Sequence, residues 1–448
     1  LDASFLYLES PTTPMHVGSL VVYDQSEAPG GIIRFREILE LVRERLPLAR
    51  CFRQKAVRVP LDLDHPWWVE DENFDLEHHV RHIALPKPGD WRQLCILTAR
   101  LVSLPLDPTR PLWELWVIEG LDAVEGYPPG SFAIVSKIHH AAIDGVSGAE
   151  IFAALHDLEP GARREIPDDW RPEPDPNALE LLARAGINNV TRPVAGLQAL
   201  GRLVPAVGDT IGRVRRGEAG LPRLRPPVTR FNTTVSAHRV FEGRRFALAD
   251  VKKVRRLVPG STVNDVVLAV VGGALRRYLI DHDELPDRSL VAMAPVSTRT
   301  EATRGAGGNE VSSLLVPLAT DVADPVDRLA AIHAATRASK ELDRAIGARV
   351  LTDFGRFGPM RLASLAARLY TRTGLARRAG MPMNCVVTNV PGPQFPLYMG
   401  HARVLDIYGV GPIVDGMGLI HPVMSYDGGL TVSFTGCRDQ LPDPGRYA

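Results

Sequence analysis

The chain has 448 residues, of which 45% are hydrophobic and 23% charged, with 52 basic residues balancing 52 acidic ones. That length exceeds one ordinary core and implies two domains of about 150 to 250 residues each. A neutral chain lacks the net attraction to phosphate that drives nucleic-acid binding, which excludes that class. The four cysteines, Cys51, Cys95, Cys385 and Cys437, form neither a disulfide framework nor a CxxC metal spacing, and they fit a reducing cytoplasm.

In the first 158 residues strand and helix signals alternate. VGSLVVYD, 17 to 24, mixes β-branched and apolar residues and predicts a strand. Residues 31 to 46 place Ile33, Phe35, Leu39 and Val42 on one helical face. SFAIVSKIHH, 131 to 140, predicts a strand, and SGAEIFAALHDL, 147 to 158, a helix opened by a capping box of Ser147 and Glu150. Residues 165 to 177 hold four prolines and predict an exposed linker, followed by a second capping box at Asn177 and Glu180. From Leu181 to Arg225 eight arginines stand against Asp209 and Glu218, interleaved with leucine, valine and isoleucine. This basic amphipathic stretch either packs on the domains with its arginines solvated or touches an anionic lipid surface.

From about residue 231 the alternation returns. STVNDVVLAVVGGALRRYL, 261 to 279, predicts a buried helix with Ser261 or Thr262 near its N-cap. Asp324 caps a further helix with Pro325 in its first position. SLVAMAPVSTR, EVSSLLVPLATD, NCVVTNVPG and GLTVSFTG read as strands. Apolar runs such as VVLAVVGGAL, 266 to 275, fall short of the roughly 20 residues of a membrane span, and no export-signal pattern opens the chain.

KIHHAAIDG, 137 to 145, concentrates the chemistry. Strand parity sets Ile138 and His140 on one face and Lys137 and His139 on the other, provided the strand persists to its end. Histidines on opposite faces make a poor chelate, and the helical i, i+4 zinc pattern is absent. His140 is then a core residue or a general base, for which a neutral imidazole with a pKa near 6.5 is suited. Asp144 can cap the next helix or pair with an arginine, and Gly145 permits a turn. No nucleophile elbow, phosphate loop or dinucleotide fingerprint occurs.

HHAAIDG matches the HHxxxDG motif of the chloramphenicol acetyltransferase-like and condensation-domain superfamily. Around it, in order, stand LDASFLYLES, PMHVG, PLDPTRPLWE, PPVTRFN, TVNDVVLAVVGGALRRYL, PVSTR, GNEVSSLLVPL and TNVPGP. Together these strings resemble the bacterial bifunctional wax ester synthase/diacylglycerol acyltransferase family, in its actinobacterial triacylglycerol synthase style, from residue 1 to about 440.

The resemblance implies an α/β fold of two acetyltransferase-like subdomains, mixed sheets flanked by helices, with an active-site tunnel between them. The expected division is 1–158, a crossover linker at 159–230, and 231–448. It implies transfer of a long-chain acyl group from acyl-CoA to diacylglycerol or a long-chain alcohol, with no cofactor and no metal. His140 is the expected general base, His139 its support, Asp144 and Gly145 the loop, and Arg299 an ion-pair partner for Asp144. Asn264 and Asp265 of NDVV, and Thr388 and Asn389 of TNVPGP, either serve helix and turn chemistry or bind substrate or the oxyanion. A cytoplasmic enzyme resting on the inner face of the membrane or on lipid droplets is the expected setting. The alternatives are a polyketide or peptide condensation enzyme of the same fold, and a non-catalytic lipid-binding scaffold.

Overall fold

Two six-stranded mixed sheets organise the chain in the computed structural model, which describes residues 3–60, 63–143, 148–168, 170–172, 174–186, 226–297, 311–346 and 381–448. Strands β1 (His16–Asp24), β4 (Val80–Ala84), β5 (Trp113–Glu119) and β6 (Phe132–His139) form the body of the first sheet. A hairpin of β2 (Gln54–Val57) and β3 (Trp67–Glu70) stands apart from it. The second sheet orders β7 (Arg239–Ala247), β14 (Gly429–Cys437), β13 (Leu419–Tyr426), β10 (Cys385–Pro391), β8 (Val291–Ser297) and β9 (Val311–Pro317).

Two strands cross between the sheets. β11 (Tyr398–Met399) and β12 (Ala402–Val410) leave the C-terminal half and complete the first sheet, in the order β11-β12-β1-β6-β5-β4. β12 pairs antiparallel with β1 from Gly18 opposite Val410 to Asp24 opposite Arg403. Its apolar residues Val404 and Ile407 enter the core that also holds Val21, Tyr23 and Ile134. Burial drives this exchange, and a strand's own pattern does not say which sheet it will join.

Helices form over the segments that read as helical, and also over Ala3–Leu8, Trp91–Ser103 and Leu248–Arg255, where the sequence reading predicts none. α1 spans Ala3–Leu8, α2 Phe35–Arg45, α3 Trp91–Ser103 and α4 Gly148–Leu155. In α2 the buried residues are Ile38, Leu39, Val42 and Arg45. α5 (Leu248–Arg255) precedes α6 (Val263–Asp281), whose N-cap is Thr262, and Asp324 caps α7 (Pro325–Ile346) by accepting from the Val326 and Asp327 N–H groups at 2.8 and 3.0 Å. Asn177 accepts from the Leu179 and Glu180 N–H groups at 3.0 Å, the expected capping box. Its residues Leu181 and Ala185 pack on Val59. The proline-rich stretch before it is tied to the β2–β3 hairpin by Arg53–Asp168 at 2.7 Å and Lys55–Asp175 at 2.9 Å. Ser147, and the basic stretch from residue 187 to 225, lie outside the described residues.

Gly18 sets how closely β1 approaches β6. A Cβ there would stand 1.8 Å from the Ser136 carbonyl oxygen, so no other residue fits between these two strands without moving one of them.

Candidate active site

β1 and β6 carry the histidine pair to one end of the first sheet. His16, the first residue of β1, is the register partner of His139, the last of β6. Strand geometry stops there. His140–Ile143 form a 3₁₀ turn, so the parity that would continue the strand to His140 is corrected. The turn still separates the pair. His139 is fully buried and His140 is half-buried.

The buried member is anchored on each side. The His139 N–H donates to the Leu112 carbonyl at 2.9 Å. Its Nδ1 accepts from the Ala141 N–H at 3.0 Å. Its Nε2 faces Glu9 Oε2 at 3.5 Å. Behind it, His16 Nε2 bonds the Val102 carbonyl at 2.8 Å. Burial, then the nearby Lys137 charge, lowers the His16 pKa to about 3. His16 is thus a neutral packing residue at a strand end.

His140 is held by its main chain and its ring face. Its N–H donates to the Met15 carbonyl at 2.9 Å. The imidazole stacks on Phe5 with centroids 3.9 Å apart and planes 16° from parallel. Among the described residues, Nδ1 is buried without a hydrogen bond of good geometry. Burial lowers the His140 pKa below its ordinary value, its own backbone opposes that shift, and the neighbouring His139 adds to it. The shift favours the neutral form of the ring.

The PLDPTRPLWE string supports this end of the sheet. Trp113 is buried and its Nε1 donates to the Phe52 carbonyl at 2.9 Å. Glu114 pairs with buried Lys137 at 2.9 Å and accepts from Trp116 Nε1 at 3.0 Å. Lys137 also donates to the Leu104 carbonyl at 3.1 Å. A buried ammonium two residues before His139 is tolerated because each of these acceptors compensates it.

NDVV opens α6. Asp265 closes a capping box: its Oδ2 accepts from the Thr262 N–H at 2.8 Å and from Thr262 Oγ1 at 2.9 Å, and its own N–H donates to Thr262 Oγ1 at 3.2 Å. His333 Nδ1 lies 3.0 Å from the same oxygen. Burial alone would raise the Asp265 pKa, but the bonds from Thr262 and His333 outweigh it and hold the carboxyl below its usual range. That oxygen is committed to the helix start. Asn264 is half-buried, and no hydrogen bond of its amide is found among the described residues. Thr388 and Asn389 lie half-buried on β10, opposite Pro422 and Val423 of β13. Asp144, Gly145 and Arg299 lie outside the described residues.

The sequence reading missed Glu9 and Phe5 as contacts of the pair. The signal that could have found them is the position of both within LDASFLYLES, a string already tied to the motif by resemblance. A cleft of about 1270 Å³ runs along α3 and β7, lined by Trp91, Arg239, Glu242, Arg244, Asp406 and Tyr408 among others. Neither histidine of the pair lines it, and the chemistry is placed by the pair rather than by the size of the cleft. Among the described residues no group of three or more His, Cys, Asp or Glu could hold a metal ion, and no helix is long and apolar enough to cross a membrane.

A histidine at the open end of one mixed sheet, with a strand exchanged from the other half, defines the acetyltransferase-like class of two-subdomain folds. The first condensation domain of the calcium-dependent antibiotic synthetase shares the fold at a TM-score of 0.52 and 12% identity, over 100% of this chain and 93% of that one. The wax ester synthase/diacylglycerol acyltransferase of Marinobacter aquaeolei VT8 is more similar, with a TM-score of 0.69 and 29% identity over 100% of this chain and 94% of that one. The family model of the wax ester synthase/diacylglycerol acyltransferase catalytic domain matches residues 1–267, and that of the WS/DGAT C-terminal domain matches residues 307–448. The "Probable diacylglycerol O-acyltransferase tgs2" of Mycobacterium tuberculosis is 35% identical over 457 aligned positions, covering 98% of this chain and 94% of its own. A second Mycobacterium tuberculosis relative, named for the same activity, is 36% identical over 445 residues, 99% of this chain and 86% of its own. The chain belongs to the wax ester synthase/diacylglycerol acyltransferase family and is an O-acyltransferase.

Proposed function

We propose that this enzyme transfers a long-chain acyl group from acyl-CoA directly to the hydroxyl of diacylglycerol or a long-chain alcohol, with His140 as general base. The observation that carries the reading is the state of His140: a neutral, half-buried imidazole fixed by Phe5 and Met15 at the open end of β6.

The thioester carbonyl is already activated, whereas an alcohol is barely ionised at neutral pH. The base therefore supplies what the reaction lacks. His140 takes the hydroxyl proton as the oxygen attacks, and the C–O bond forms. The tetrahedral oxyanion collapses, the C–S bond breaks, and the proton passes from His140 to the departing thiolate. No acyl-enzyme forms. Asn264 is the candidate donor to the oxyanion or to the acceptor hydroxyl, since its amide is unengaged among the described residues. Thr388 and Asn389 line the path of the thioester between the subdomains. Asp144, Gly145 and Arg299 hold the loop after His140. The enzyme needs no cofactor, since acyl-CoA is itself a substrate. It works peripherally at the cytoplasmic membrane face or a lipid droplet, where its acceptors are concentrated.

A general base contributes about 10²- to 10⁴-fold. His140→Ala should lose that much kcat in an assay of CoA release from long-chain acyl-CoA and diacylglycerol, with an unchanged circular dichroism spectrum. A folded variant turning over at the native rate removes His140 from the mechanism. Product analysis across diacylglycerol, monoacylglycerol and long-chain alcohols measures acceptor preference.

A further inference from the structure

The histidine pair rests on an N-terminal segment that contributes nothing to the proposed bond-making. α1 is followed by Glu9, and then by a tight turn in which Ser10 and Thr13 exchange backbone hydrogen bonds of 3.3 and 3.0 Å. The turn returns Met15 beside Glu9, whose Oε1 accepts the Met15 N–H at 3.2 Å. The Met15 carbonyl in turn accepts the His140 N–H at 2.9 Å. Glu9 thus fixes the strand end from which the His140 main chain hangs.

The other oxygen of Glu9 faces His139. The Ala141 N–H can only donate, so Nδ1 of His139 must accept, and the single proton of the neutral ring sits on Nε2. That Nε2 is fully buried and, among the described residues, makes no hydrogen bond of good geometry to any other group. Glu9 Oε2, at 3.5 Å, is the acceptor it faces, and Glu9 is itself only 25% exposed. Hydrogen bonds of catalytic groups are commonly long before substrate binds and tighten afterwards. A carboxylate accepts only, so it complements both the Met15 N–H and the His139 Nε2–H at once.

We propose that Glu9 is a positioning residue for acyl transfer: it holds His139 as the Nε2–H tautomer and so fixes the turn that aims His140 at the acceptor hydroxyl. The inference rests on His140 being the base. It makes a specific demand on chemistry. In Glu9→Gln one amide oxygen must serve two donors, and the amide NH₂ confronts one of them. If His139 answers by moving its proton to Nδ1, that proton confronts the Ala141 N–H. The turn then opens at its first residue, and the His140 ring shifts on Phe5. A displacement of this kind costs rate without removing any group that touches substrate.

The test uses the full-length enzyme and three measurements. Glu9→Gln should lower kcat about 10- to 100-fold while KM for a long-chain acyl-CoA changes less than about twofold. With ring ¹⁵N-labelled histidine, the native enzyme should show His139 as a protonated Nε2 with an accepting Nδ1, and Glu9→Gln should lose that signature. In a His139→Gln background, Glu9→Gln should cost nothing further, because the two act through one contact. Should His139→Gln fail to fold, the tautomer signature and the kcat against KM split carry the test. Native kcat in Glu9→Gln, an unchanged His139 tautomer, or independent losses in the double variant each overturn the inference. An inactive His140→Ala beside any of these results overturns the role of Glu9 alone. A His140→Ala enzyme that keeps its turnover overturns the base assignment instead.

Discussion

The end of β6 and the start of α6 each present two adjacent polar residues, and each divides them the same way. His139 and Asp265 are fully or almost fully buried, and their side chains are committed to Ala141 and Glu9 in one case and to Thr262 and His333 in the other. His140 and Asn264 are half-buried, and neither side chain is committed to a hydrogen bond of good geometry among the described residues. The cause is common to both places. Where a strand gives way to a 3₁₀ turn, or a helix begins, successive side chains leave in different directions. One is driven into the core and must find partners. The other is left at the rim with its chemistry unspent. Each motif thus pairs an anchored side chain with one left uncommitted among the described residues.

The largest test of this division after His140 itself is Asn264. If its amide serves the oxyanion, Asn264→Ala should lower kcat by about 10²- to 10³-fold. Its melting temperature should stay where it is, since no partner among the described residues loses a bond. A stable variant with full activity would leave the α6 start with a structural role only, and the parallel with β6 would end. Asp265→Ala should do the opposite. Losing the carboxylate half of the capping box and leaving His333 without its acceptor should cost about 1 to 2 kcal/mol of stability. That corresponds to a fall in melting temperature of a few degrees, and kcat per folded molecule should drop far less than in Asn264→Ala. A large kcat loss at unchanged melting temperature would make Asp265 the reacting member of the pair.

Much of this was legible in the sequence, and what was not has a physical reason. Asn177, Asp324 and Thr262 cap the helices that their local patterns announce, because capping needs only neighbours three residues away. Strand β6 was readable from its β-branched residues, but the 3₁₀ turn at His140 was not, since it depends on the carbonyls of Met15 and Leu112, just before β1 and β5, accepting the His140 and His139 N–H groups. The crossing of β12 into the first sheet was hidden for the same reason: pairing Gly18 with Val410 joins residues from opposite ends of the chain. Lys137 with Glu114 shows the middle case. Both lie in strings that draw attention, yet only the β5–β6 register, which sets Glu114 opposite Lys137, brings ammonium and carboxylate together.

The smallest effect concerns pH, and it separates structural from reacting histidines. Burial holds His16 near 3 and His79, His156 and His421 near 4, all below the ordinary value of 6.5. Each stays neutral in the folded protein, whereas the unfolded chain takes up a proton below about pH 6.5. The unfolded state then binds more protons, so stability is full above pH 6.5 and is lost as pH falls from there toward about 4. Each histidine contributes at most about 1.4 kcal/mol per pH unit to that slope. Carboxylates held low, such as Glu114 and Asp265, act in a separate window: their contribution is present above about pH 4 and disappears only as pH falls through their lowered values. Melting temperatures measured at pH 7.5, 6.5, 5.5 and 4.5 should hold between the first two and fall through the rest. His140, also lowered by burial, should set an acid limb of kcat below pH 6.5, measured at a temperature where the protein stays folded. His140→Ala should abolish that limb in its residual rate and leave the melting profile almost unmoved, because four other buried histidines still carry it. A melting profile flat down to pH 4.5 would mean that these rings are charged or solvated in the fold, and the distinction between anchored and reacting histidines would fail with it.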